Sequence, residues 1–233
     1  MTISSTIAKT AQNLVRVFTT MTSACALTRV SVYKIQRPNH SFNFVISRGS
    51  VVDFSHPDNP RSCAIVNAAN EECLCGGGVD GAISNAGGPN LFEDRYALPV
   101  VGFNIRCPTG SAVITGPNAY HKLHVPYVIH AVGPNYVYMS TDLSQGDELL
   151  ASAYTYSLAR GKEAKLEAIA FSLLSAGVFR GPKTLKDVLR IGVNAICNFD
   201  GYEGLMEVHM CAFSQNEEDA LKEIANNLGL KAC

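Results

Sequence analysis

From Asp147 to Leu228 the chain alternates between two hydrophobic periods, and this alternation restricts the fold more than any other feature. Asp147–Lys162 places Leu149, Leu150, Ala153, Tyr156 and Leu158 at helical spacing. Ala168–Leu174 is an apolar run of strand length, Thr184–Asn198 is helical, Leu205–Phe213 is a strand, and Asn216–Leu228 is helical again. Thr184 with Asp187, and Asn216 ahead of Glu217 and Glu218, mark two of the helix starts. A helix between two strands returns the chain to the end where the first strand began. The strands therefore run parallel, and the helices cover the sheet faces.

The first half adds antiparallel pieces. Arg29–Ile35 and Phe42–Ile46 flank the turn-prone Arg37-Pro38-Asn39-His40 and form a hairpin. Cys63–Asn67 is a short apolar run suited to a central strand buried on both faces. Val79–Ala86 is helical, and Gly87-Gly88-Pro89 stops it and starts a second helix through Tyr96. Ala112–Ile114 and Tyr127–Val132 are further strands, the latter ending at Gly133-Pro134-Asn135. The fold class is α/β: a mixed, largely parallel sheet in a three-layer α/β/α arrangement. With 47% hydrophobic residues in 233 and no linker, residues 29–233 form one domain behind an N-terminal extension, 1–28.

Residues 1–52 contain Lys9, Arg16, Arg29, Lys34, Arg37 and Arg48 but no acid. A cationic amphipathic helix over Ile7–Ala26 suits an organellar transit peptide, and an ordinary mobile N-terminus fits equally, so the expected location is cytoplasmic or mitochondrial. The net charge of −1 offers no basic surplus for bulk nucleic-acid binding, and no apolar run has membrane-spanning length. Cys63, Cys197 and Cys211 sit in apolar runs as buried free thiols. Cys73-Leu74-Cys75 lacks the spacing and the second pair of a zinc site, so no metal and no cofactor is expected.

Two loops carry the chemistry. Gly76-Gly77-Gly78-Val79-Asp80-Gly81 lets the main chain approach a ligand closely and turns successive N–H groups toward an anion, with a helix start behind it. Its match to the dinucleotide pattern G-x-G-x-x-G is formal, because Ala68–Cys75 separate it from the strand. A P-loop is excluded by the absence of Gly-Lys-Ser/Thr. Ser175-Ala176-Gly177-Val178-Phe179-Arg180-Gly181-Pro182 follows a strand and offers a second wall of backbone donors. Phe179 serves equally as a core anchor or a stacking surface.

Ala64-Ile65-Val66-Asn67-Ala68-Ala69-Asn70, followed by Gly-Gly-Gly-Val-Asp-Gly-Ala-Ile, closely resembles the first ligand loop of macrodomains. Val128–Pro134 resembles their central strand and its exit, and Leu174–Pro182 their second phosphate loop. The order and spacing agree from about Gly49 to the last helix, nearest to the MacroD-like subgroup. The resemblance implies a monomeric α/β/α fold that binds ADP-ribose and removes single ADP-ribose units from protein carboxylates, often with deacetylation of O-acetyl-ADP-ribose. By position, Asn70 would hold the distal ribose hydroxyls, Asn67 would support that loop, and Asp80 would position or deprotonate the attacking water. Ala69, Gly76, Gly77, Gly78, Val79, Ser175, Ala176, Gly177, Val178 and Phe179 would line the diphosphate and distal ribose. Ser50, Val51 and Phe213 would meet the adenine.

Four departures stand against the family pattern. Ser50 takes the place of the acid that accepts from the adenine amino group, and a hydroxyl is the weaker partner. Cys75 replaces a first glycine, and Ser84 stands where a histidine usually follows the acid by one helical turn. Ala176 and Arg180 replace Thr and Gly in the second loop. The residues around His56-Pro57-Asp58-Asn59-Pro60 resemble a surface insertion, and His130 reads as a core histidine. The departures at Ser50, Ser84 and Ala176 favour a competing function, a reader module that binds ADP-ribose without cleaving it; an ADP-ribose 1″-phosphate phosphatase is a third alternative.

Overall fold

The computed structural model describes residues 27–139 and 142–233. The expected amphipathic segment Ile7–Ala26 lies outside them. Strands β1 (Thr28–Gln36), β2 (Ser41–Arg48), β3 (Cys63–Ala68), β4 (Ala112–Thr115), β5 (Tyr127–Ala131), β6 (Ala168–Phe171) and β7 (Glu207–Ala212) form one sheet in the order β1-β2-β7-β6-β3-β5-β4. The pairs β2/β7, β7/β6, β6/β3 and β3/β5 are parallel, and the edges β1 and β4 are antiparallel.

Four helices cover the sheet: α1 (Gly78–Tyr96), α2 (Leu143–Glu163), α3 (Leu185–Asn198) and α4 (Gln215–Asn227). The period-2 alternation of the central strands divides the core. Ala64 and Val66 of β3, with Ile129 and Phe171, pack in one cluster with Leu150, Tyr154, Val193 and Leu221 of α2–α4. Cys63 and Ile65, with Val128 and Ala170, face Ile83 and Leu91 of α1 on the other side. Both faces are dry, which accounts for unbroken apolar strands at the centre. Burial pushes the Cys63 thiol up to about 11 and that of the half-buried Cys197 up to about 12.

Several boundaries differ from the sequence reading, each through a cap. Helix α2 begins at Leu143, four residues before Asp147, because the Asp142 side chain accepts from the Gln145 N–H. Thr184 does start α3, in a reciprocal capping box with Asp187. Helix α4 is started by Ser214 with Glu217 rather than by Asn216. As expected, Gly87-Gly88-Pro89 separates two helical stretches: α1 is kinked at Gly88, whose φ of 64° and ψ of −160° leave the helical region, and the second stretch runs on from Pro89 through Tyr96. Among the described residues, no helix is long and apolar enough to cross a membrane.

Candidate ligand cleft and the network beneath it

At the carboxyl ends of the parallel strands lies a cleft of about 450 Å³. This is where an open parallel sheet leaves room between diverging loops. Its wall brings together Ser50 and Val51 after β2, Gly78 and Val79 at the start of α1, Ala176 and Gly177 in the second loop, and Phe213 after β7. Six further lining residues were not among the expected site residues: Gly49, Ala82, Ser172, Leu173, Cys211 and Glu217. Ser172, Leu173 and Cys211 follow from their places at or just beyond strand ends. Glu217 carries no signal beyond its capping position, where its Oε2 accepts the N–H groups of Phe213 and Ser214, both at 2.8 Å.

Capping distinguishes the helices around the cleft. Helices α2, α3 and α4 begin with side-chain caps from Asp142, Thr184 and Ser214. Helix α1 has Gly77 at its N-cap and no side-chain cap, and Gly78 and Val79 of its first turn line the cleft. The short 3₁₀ turn Val178–Arg180, with Gly177 before it, is likewise uncapped. Two sets of backbone donors unsatisfied by side chains thus border one cavity, and α1 adds its positive end. Glycine is needed at Gly78, where φ is +57°. Phe213, also in the wall of the cavity, is 75% exposed and offers an apolar surface.

The other expected site residues lie beside or below the cleft. Gly76 and Gly77 are exposed in the approach to α1, Ala69 is buried, Val178 points outward and Phe179 is half-buried. The carbonyl of Phe179 accepts from Tyr136 N, and Ser175 Oγ, buried, donates to the Pro134 carbonyl at 2.8 Å. The Asn70 amide holds its own loop: Oδ1 accepts from Cys73 N at 3.2 Å, and Nδ2 donates to the Cys75 carbonyl at 2.9 Å.

Asn67 and Asp80 belong to a buried polar network under the first loop. Asn67 Nδ2 donates to Asp80 Oδ1 at 2.7 Å, and the Arg95 guanidinium reaches the same oxygen at 2.9 Å. Arg95 also donates to Ser84 Oγ at 2.7 Å and to the Cys73 carbonyl. On the other side, Asn67 meets His130 Nδ1 at 3.2 Å, and His130 Nε2 meets Thr115 Oγ1 at 3.1 Å. Asp80 Oδ2 is buried with no protein partner and faces the α-carbon of Gly76, where a Cβ would lie 2.6 Å away. The network therefore leaves Asp80 one uncommitted acceptor.

The family model described as Macro domain matches residues 66–190, more than half of the chain. The chain belongs to the Macro domain family. A macro domain-containing protein of Caldanaerobacter subterraneus subsp. tengcongensis is 37% identical over 165 residues, covering 71% of this chain and 89% of the relative. The Oceanobacillus iheyensis macrodomain solved with ADP is 29% identical, with a TM-score of 0.67 over 85% of this chain and 96% of that one. The Trypanosoma brucei macrodomain in complex with ADP-ribose is 31% identical, with a TM-score of 0.60 over 77% and 68% of the two chains. The seven-stranded mixed sheet of this macrodomain agrees with those neighbours.

Proposed function

We propose that this macrodomain binds ADP-ribose in the cleft and hydrolyses mono-ADP-ribose esters of protein carboxylates. The observation that carries the reading is the convergence of two uncapped glycine-containing turns on one cavity, with Asp80 directly beneath the first. Uncapped N–H groups suit the diphosphate. Phe213 and Val51 offer an apolar face for the adenine, which directs the distal ribose toward the 67–80 loop. In the reaction, water breaks the ester between ribose and carboxylate, releasing ADP-ribose and the free acid. Asp80 Oδ2, the uncommitted acceptor, orients that water or a ribose hydroxyl. The relatives solved with ADP and with ADP-ribose support the choice of ligand.

A second reading, a reader that binds without cleaving, is favoured by one observation: Asp80 is buried against Arg95, so its charge is already opposed. Titration calorimetry with ADP-ribose tests the binding, and the absence of heat at millimolar ligand would refute both readings. Release of label from a mono-ADP-ribosylated protein, wild type beside Asp80→Asn, separates hydrolase from reader. Release by the wild type that Asp80→Asn abolishes supports the hydrolase; unchanged release removes Asp80 from the reaction.

A further inference from the structure

Arg95 is fully buried, its side chain 1% exposed, and it lies outside the cleft wall. Its hydrogen bonds and ion pair run to Cys73 in the ligand loop and to Asp80 and Ser84 in the first turns of its own helix. In a straight helix this contact could not form. Fifteen residues separate Asp80 from Arg95, which at 1.5 Å per residue is about 22 Å, far beyond the reach of an arginine side chain. The bend at Gly88-Pro89 folds the second half of α1 back and brings the guanidinium 2.9 Å from Asp80 Oδ1. Ser84, small and hydroxyl-bearing, accepts from the same guanidinium nitrogen. A buried guanidinium is costly to desolvate, so these contacts must repay that cost.

We infer that Arg95 is the positioning residue of the ligand loop. It ties Cys73 to α1 and, together with Asn67, occupies Asp80 Oδ1, so that Oδ2 alone is presented upward beneath Gly76. The bent second half of α1 is then a brace for the site. This inference rests on the proposal that the 67–80 loop meets ADP-ribose.

The test uses the full chain with Arg95→Met, Arg95→Lys, Asp80→Asn and the Arg95→Met/Asp80→Asn double variant. ADP-ribose affinity is read by calorimetry, and loop order by amide hydrogen exchange. Arg95→Met is expected to weaken ADP-ribose binding by about tenfold or more, with Arg95→Lys recovering to within about threefold of wild type. Faster exchange is expected over residues 70–80, with the sheet still protected. The losses of Arg95→Met and Asp80→Asn should combine to less than their product, because the two changes share the Arg95–Asp80 contact while Arg95 also ties Cys73. Affinity and exchange unchanged in Arg95→Met, or losses of the two single variants that multiply, would overturn the assignment. If Arg95→Met does not fold, Arg95→Lys carries the comparison: affinity and loop exchange indistinguishable from wild type would also overturn it. If the wild type does not bind ADP-ribose, the functional reading fails by itself, and exchange over 70–80 still decides the role of Arg95.

Discussion

Asn67 Nδ2 donates to His130 Nδ1 across 3.2 Å, and this sets the state of the imidazole. With Nδ1 accepting, Nε2 carries the proton and donates to Thr115 Oγ1, whose own hydroxyl donates to the Val128 carbonyl. The ring is fully buried, and burial, with the nearby Arg95 charge second, drives its pKa well below the ordinary 6.5. The pKa of a second imidazole, His209, is also lowered by burial, against the opposing effect of the hydrogen bond that His209 donates to the Glu207 carboxylate.

The sign of the resulting pH dependence follows. Folded-state values lie below unfolded ones, so as pH falls below about 6.5 the unfolded chain takes up protons that the fold refuses. Stability is full above that pH and declines through the depressed folded values, by up to about 1.4 kcal/mol per pH unit for each histidine. Urea midpoints measured between pH 7 and 5 should fall, and His130→Gln should flatten the slope. A midpoint that rises toward pH 5 would contradict the neutral assignment.

Gly76 stands against Asp80, with room for a hydrogen and nothing larger. Gly76→Ala places a methyl 2.6 Å from Oδ2, a distance that real contacts do not show. Overpacking of this kind costs about 1–3 kcal/mol, which a thermal melt should register. The loop must also shift, so ADP-ribose affinity should fall with it. Gly77→Ala, with open space around its Cβ, is the control and should leave stability nearly unchanged.

Phe213 should behave in the opposite way. It is 75% exposed and lines the cleft, so Phe213→Ala should change unfolding free energy by no more than about 0.5 kcal/mol. Stacking on a base is worth about 1–3 kcal/mol, so ADP-ribose affinity should drop by roughly an order of magnitude or more in calorimetry. Undiminished affinity would move the adenine away from this wall.

Removing one partner of the Arg95–Asp80 pair leaves a buried charge uncompensated. Asp80→Ala is therefore expected to cost about 3–5 kcal/mol of stability in denaturant titration. Combining it with Arg95→Met should recover much of that loss, since no lone charge remains. A double variant less stable than Asp80→Ala would show that the guanidinium is held by Cys73 and Ser84 instead.

Local sequence determined the sheet and the glycine-lined wall of the cleft. Apolar runs of strand length, helical periods between them and caps such as Thr184 with Asp187 are all expressed within a few residues of chain, and hydrophobic burial converts them directly into layers. The glycine run at 76–78 was legible for the same reason, as a backbone property of consecutive residues. The boundaries that shifted, at Asp142 and Ser214, depended on which of several nearby polar residues won the cap. What only the tertiary structure decided is the setting of Asp80. Arg95 reaches it through the bend at Gly88, and His130 reaches Asn67 through the pairing of β5 with β3. Contacts across 15 and 63 residues leave no periodic trace in a sequence, because they depend on how elements turn back on one another rather than on what any one segment prefers.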